Sequence, residues 1–198
     1  MNWGLLGAFI LFAAAMLFTP GPNNLLAMTS GANFGVRRTL PFIGGAVAGF
    51  ALMVGMLFAG AGAAIASAPG AMAILKVAGT LYLLWLAWRI AGSEPASPDA
   101  AGAARPLGFG EAAVVTWLNP KGWTMALAAI GGYSEVTPEP LSFALVGIAV
   151  FGLLMFPALL SWAAVGAGVG RLGRNHLRLI NRTMAILIVA SVALMYIA

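Results

Sequence analysis

Two short stretches carry most of the side chains that could do chemistry in this chain. The first is FTPGPNNLL, Phe18–Leu26, where Pro20, Gly21 and Pro22 run into Asn23 and Asn24. The second is TWLNPKGW, Thr116–Trp123, where Asn119 and Pro120 precede Lys121. Both lie inside long apolar runs. A proline removes a backbone donor and displaces the carbonyl four residues earlier, so Pro20, Pro22 and Pro120 should free the carbonyls of Met16, Phe18 and Thr116. Each break also starts a new half-helix, with Pro22 and Pro120 at favourable first positions. Asn119 suits the N-cap of the second half-helix, and Gly21 can serve the first. The amides and positive dipole end of a helix start attract an anion, while freed carbonyls accept from an ammonium. An amino acid zwitterion presents both groups. Pro20, Gly21, Pro22, Asn23, Asn24, Asn119, Pro120 and Lys121 are therefore the candidate binding residues. Lys121 sits near the bilayer centre, where a lysine costs about 2.5–3.5 kcal/mol on insertion scales. Lys76, nearer the outer end of its span, either snorkels or joins the candidates by pointing into the bundle on a face shared with Gly79, Thr80 and Leu83.

This chemistry is binding rather than bond-making. There is no cysteine; the single histidine, His176, sits beside Asn175 in a basic loop, and the single aspartate, Asp99, lies in a linker. No nucleophile–base pair, aspartate pair or metal-ligand set can be drawn from these residues, nothing resembles a channel selectivity filter, and no cofactor is implied. The chain reads as a non-enzyme.

The elements that position the two breaks follow from composition. Of 198 residues, 62% are hydrophobic and 8% charged, against about 25% charged in soluble domains. This places the chain in a lipid bilayer, as one transmembrane domain of roughly six spans of about 20 residues. The spans are expected near 5–34, 40–66, 69–91, 109–132, 141–169 and 179–197. Met1–Gly4 lack the Lys or Arg of a signal-peptide start, so the first span is read as retained. GSEPASPDAAGAARP, Gly92–Pro106, has linker composition and divides the chain almost in half. The fold expected is all-α, with two three-helix repeats at 1–91 and 109–198 joined by a cytoplasmic linker at 92–108. Pro22 and Pro120 lie about half a chain apart. Three spans separate the units, so the second enters from the opposite face, which is the pattern of inverted repeats with discontinuous first and fourth helices and a midplane site.

The basic residues sort by side. Arg37 and Arg38 follow the first span, Arg89 and Arg105 flank the linker, and Arg171, Arg174, Arg178 and Arg182 follow the fifth, whereas the opposite face carries Glu135 and Glu139. By the positive-inside rule both termini are outside. The net charge of +5 thus reports orientation rather than nucleic-acid binding. Gly45–Gly49 and Gly166–Gly170 have GxxxG spacing, and Ala48, Gly55, Ala59 and Ala63 extend a small face. Close packing between spans is the default meaning, with a sliding interface or a homodimer contact as the alternatives. Trp3, Trp85 and Trp88 are expected in interfacial belts.

The same residues resemble the LysE/RhtB family of bacterial amino acid exporters. PGPNNLL at Pro20–Leu26 is similar to the family's first-span signature, and GANFGVRRTLPFIGGAVAG at Gly31–Gly49 to its turn into the second span. LKVAGTLYLLWLAWR at Leu75–Arg89 resembles a third-span motif, which adds Tyr82 to the candidate site. LNPKGW at Leu118–Trp123 matches the fourth span and INRTMAILIVASVAL at Ile180–Leu194 the last. The resemblance implies export of small amino acids or derivatives across the inner membrane, driven by the membrane potential or a proton gradient. Gly131–Tyr133 depart from the family's usual Pro-Gln-Phe, and Phe156-Pro157 and Ser161-Trp162 from its usual acidic residue and Gly-Tyr pair. Glu111 is the one carboxylate in a span, within the first turn of the fourth, and reads as a helix-start charge. Lys76 and Lys121 make the interior cationic, which favours a neutral zwitterion over lysine or arginine. An exporter of another small solute or cation, or a membrane scaffold, is the alternative; a scaffold would tolerate substitution of Asn23 and Lys121.

Overall fold

Asn2 opens the first helix: its side-chain oxygen accepts the Leu5 amide at 3.1 Å, and α1 runs Trp3–Phe18. The computed structural model describes residues 1–61, 70–92 and 105–197, and every regular element among them is helical. After the break at Thr19–Gly21 come α2 (Pro22–Phe34) and α3 (Val36–Met56), the latter continuing into a π-helical turn at Leu57–Ala61. Next are α4 (Ala71–Ala91), α5 (Phe109–Leu118) and α6 (Pro120–Tyr133). A 3-10 turn at Ser134–Val136 leads to α7 (Pro140–Gly170) and α8 (Arg174–Ile197). Among the described residues, Val36–Gly60, Pro140–Gly170 and His176–Ala193 are long and apolar enough to cross a membrane. The pair α1–α2, bent by 51°, is long and apolar enough when taken together, as a broken span or a re-entrant loop, and α5 is a shorter apolar helix.

α3 and α8 start earlier than hydropathy suggested. Only Gly35, at φ 79°, separates α2 from α3, a conformation that glycine adopts without a Cβ penalty. Arg37 and Arg38 therefore sit on the first turn of α3 rather than in a loop, and Arg174, Arg178 and Arg182 sit on α8. Hydropathy misses these turns because their charges mask a helix that the backbone has already begun. Residues 62–69 and 93–104 lie outside the described set, and with them Ala63, Asp99 and most of the linker.

The glycine spacings are seams between helices of one chain. On α2 against α7, Gly31 faces the Ala163 carbonyl, Gly166 that of Met28, and Gly170 that of Ala32. On α3 against α5, Gly45 faces the Phe109 carbonyl and Gly49 the Cα of Ala113. A side chain at any of these positions would occupy backbone. Gly55 meets the Ile148 side chain, whereas Ala48 and Ala59 are exposed. α3 and α7 also pack on each other, and α4 lies along α8. Away from the seams an aromatic cluster takes over, with Phe9 at 5.3 Å from both Tyr133 and Phe151, and Phe58 stacked on Phe143 at 4.4 Å. Trp3 and Trp88 are largely exposed and Trp85 partly so. On α2, polar groups pair with neighbouring helices: Ser30 shares a hydrogen with Thr39 at 2.8 Å, and Asn33 donates to the fully buried Asn181 at 2.7 Å. α2 is thus a polar rod held inside an apolar bundle.

Candidate functional site

At the first break the chain satisfies its own loose carbonyls. The Thr19 hydroxyl donates to Met16 O at 2.8 Å, and the Trp162 indole donates to Phe18 O at 3.3 Å. Asn24 reaches back from α2, its Nδ2 donating to Leu17 O at 2.8 Å and to Thr19 O at 2.7 Å. At the second break Thr116 O accepts the Asn119 amide at 3.3 Å. The expectation that Met16, Phe18 and Thr116 offer open carbonyls is therefore corrected: each has an internal donor, because a buried unpaired carbonyl costs about 1–3 kcal/mol.

The two half-helices that leave the breaks differ at their caps. Asn119 caps α6, its Oδ1 accepting the Lys121 amide at 3.1 Å, with Pro120 at the first position. Gly21 stands at the N-cap of α2 with Pro22 behind it, and no side chain bonds the start of that helix. The Trp117 indole donates to Gly49 O at 2.8 Å, and Trp123 donates to Trp117 O at 2.7 Å. The first bond holds the second break against α3, and the second ties its two half-helices together.

Lys121 crosses from the second break to the first. Its Nζ donates to Thr19 O and Thr19 Oγ1, both at 2.9 Å, and to Pro20 O at 3.3 Å. Three acceptors match the three hydrogens of an ammonium. The side chain lies flat on Gly21: a Cβ there would stand 2.8 Å from Lys121 Cδ and 3.0 Å from Nζ. Three positive features therefore meet at one place, the Lys121 ammonium and the starts of α2 and α6. Beside them is a small, half-open pocket with a cavity volume of about 30 Å³. Asn23, Asn24, Thr116, Asn119 and Lys121 supply its polar lining, and Met16, Phe50, Met125 and Met155 much of the apolar wall. Asn23 is 8% exposed. Its Nδ2 donates to Thr116 Oγ1 at 3.1 Å, and Thr116 in turn donates to Ala112 O at 2.9 Å. The Asn23 Oδ1 has no partner.

Of the residues expected from sequence, the structure gathers Gly21, Asn23, Asn24, Asn119 and Lys121 around this pocket. Pro20, Pro22 and Pro120 shape the breaks; Pro20 adds its carbonyl to Lys121. Lys76 and Tyr82, on α4, are not among the lining residues, and Tyr82 packs on Trp85 at 5.5 Å. Thr19 and Thr116 were missed. Their hydroxyls just ahead of a break were a usable signal, since a hydroxyl there can bond carbonyls that the proline disturbs. Of the departures from the family pattern, Phe156 and Ser161 are exposed, Trp162 serves the first break, and Tyr133 packs on Phe9. Glu111 accepts from Arg105 at 2.7 and 2.9 Å and from the Gly108 amide at 2.7 Å, which fixes it as a helix-start charge.

The LysE type translocator family matches residues 14–198. A cysteine/O-acetylserine efflux protein of Escherichia coli (strain K12) is 34% identical over 188 residues, covering 93% of this chain and 94% of the relative. Proteins of the same description from Shigella sonnei (strain Ss046) and Escherichia coli O1:K1 / APEC match over the same shares, at 34% and 33% identity. No solved structure matches the chain.

Proposed function

Because the chain belongs to the LysE type translocator family, we propose that it is a secondary transporter exporting small neutral amino acids, of the size of cysteine or O-acetylserine, from the bacterial cytoplasm. The observation that carries this reading is the meeting of Lys121 with two helix starts beside an apolar-walled pocket. Positive ends and an ammonium repel one another, and a carboxylate brought among them is attracted by all three. On binding, the substrate carboxylate competes with Thr19 and Pro20 for Lys121. The bond that ties the two breaks together then depends on whether the site is filled, which links occupancy to helix movement. The lining residues include no carboxylate, which supports a neutral zwitterion rather than a cationic one.

In this reading α1–α2, α3, α4, α5–α6, α7 and α8 are six crossings of the inner membrane. Residues 1–91 and 109–198 are inverted repeats joined by 92–108, and both termini lie outside. The support is the matching construction of the breaks, each with a proline at the first position of its second half-helix. Alternating access at this site, driven by the membrane potential or a proton gradient, completes the cycle. Lys76, Tyr82 and the prolines act from the walls of the path.

The test is counterflow in proteoliposomes loaded with unlabelled neutral amino acids. Wild-type protein accumulates labelled cysteine, and Lys121→Ala, eluting as the same folded species, loses at least about tenfold in rate, the equivalent of one charge-assisted hydrogen bond. Full flux in Lys121→Ala would refute the site. No flux with any neutral amino acid would refute the function and favour a different solute or a scaffold.

A further inference from the structure

Among the described residues, Asn23 Oδ1 is the one buried side-chain polar atom without a hydrogen-bond partner, and its residue lines the pocket. Its orientation is enforced. The single hydroxyl hydrogen of Thr116 goes to Ala112 O at 2.9 Å, so Thr116 Oγ1 can only accept from its neighbour. The Asn23 amide must then turn its nitrogen to Thr116, at 3.1 Å, which leaves Oδ1 free. Asn23 is on the half-helix that follows one break and Thr116 on the last turn before the other. The orientation of the free acceptor therefore depends on contact between the two broken helices.

An acceptor held unpaired beside a cluster of positive groups selects for a donor attached to an anion. We propose that Asn23 Oδ1 accepts a hydrogen from the α-ammonium of the substrate, with Thr116 as the positioning residue that holds the amide in this orientation. This rests on the transport reading above and adds a specificity to it. The carrier takes primary α-amino acids and excludes carboxylates of the same size that lack the ammonium. A site built to hydrogen-bond one group discriminates strongly against an analogue without it, because the analogue leaves the buried partner unpaired.

The experiment is competition for counterflow of radiolabelled cysteine, held reduced, by unlabelled cysteine or 3-mercaptopropionate, which differs by the amino group alone. In wild type, 3-mercaptopropionate is expected to compete at least about 100-fold more weakly than cysteine. Thr116→Val keeps the shape and removes the hydroxyl. It should reduce that ratio at least about tenfold, and Thr116→Ser should restore it, with both variants checked for folded yield. Equal competition by the two compounds in wild type, or an unchanged ratio in Thr116→Val, would overturn the assignment while leaving transport standing. Absence of cysteine flux in wild type, with flux of no other neutral amino acid, would overturn the transport reading and this proposal with it.

Discussion

Asn24 is the side chain on which the first break most depends. Its amide nitrogen donates to Leu17 O at 2.8 Å and Thr19 O at 2.7 Å, closing a gap where Pro20 and Pro22 cannot supply backbone hydrogens. Replace it with alanine, and the two carbonyls fare differently. Thr19 O keeps Lys121 at 2.9 Å, so it loses a bond worth about 0.5–1.5 kcal/mol. Leu17 is 6% exposed, and its carbonyl becomes a buried orphan at about 1–3 kcal/mol. Asn24→Ala should therefore destabilise by roughly 2–4 kcal/mol, a fall of about 5–15 °C in Tm on the scale of domains this size. The assay is thermal unfolding of purified protein in detergent, followed by the surviving folded peak on size exclusion. Asn24→Leu separates the causes, since it refills the volume and restores no donor. If Asn24→Leu melts with wild type, packing holds the break and the hydrogen-bond argument is wrong. If both variants melt within about 1 °C of wild type, the carbonyls find other donors and the break is not held from α2 at all.

The seam between α2 and α7 should tolerate no side chain. Gly166→Ala places a methyl on the Met28 carbonyl and should cost about 1–3 kcal/mol or more by overpacking. Gly152→Ala, where nothing stands within 4 Å of the new Cβ, should melt with wild type, and paired melts check both. At the start of α5, the Arg105–Glu111 pair is exposed, with 70% and 39% of the two side chains accessible. Glu111→Gln should change stability by less than about 1 kcal/mol and leave cysteine counterflow intact; lost flux would make Glu111 part of the transport path.

The breaks were legible in the sequence because proline acts on its own backbone, whatever surrounds it. Pro22 and Pro120 fix where the half-helices begin, and the residues at the two caps follow from position alone. The partners across the breaks were not legible. Asn24 could have faced a ligand as easily as Leu17 O, and Trp162, far along the chain, gave no sign of reaching Phe18 O. The same holds for the small residues. Spacing marked Gly45 and Gly49 as a close-packing face, but a GxxxG face serves a neighbouring helix or a second copy equally well, and only the contact with α5 chooses. Thr116 was hidden for another reason. A threonine bonded to the carbonyl four residues back looks like routine helix chemistry, and its second role, as acceptor for Asn23, depends on a helix from the other half of the chain.

The length of α7 has a mechanical consequence. Its 31 residues measure about 46 Å at 1.5 Å per residue, while the hydrocarbon slab is about 30 Å thick. No charged residue interrupts it, so the helix must lean, protrude or thicken the bilayer around it. α2 is welded along one end of this rod by backbone seams that allow no slack. A change in lean is therefore transmitted to α2 and from there to the first break. In the proposed transport cycle, acyl-chain length is thus expected to act on the first break, a thinner membrane tipping the rod further.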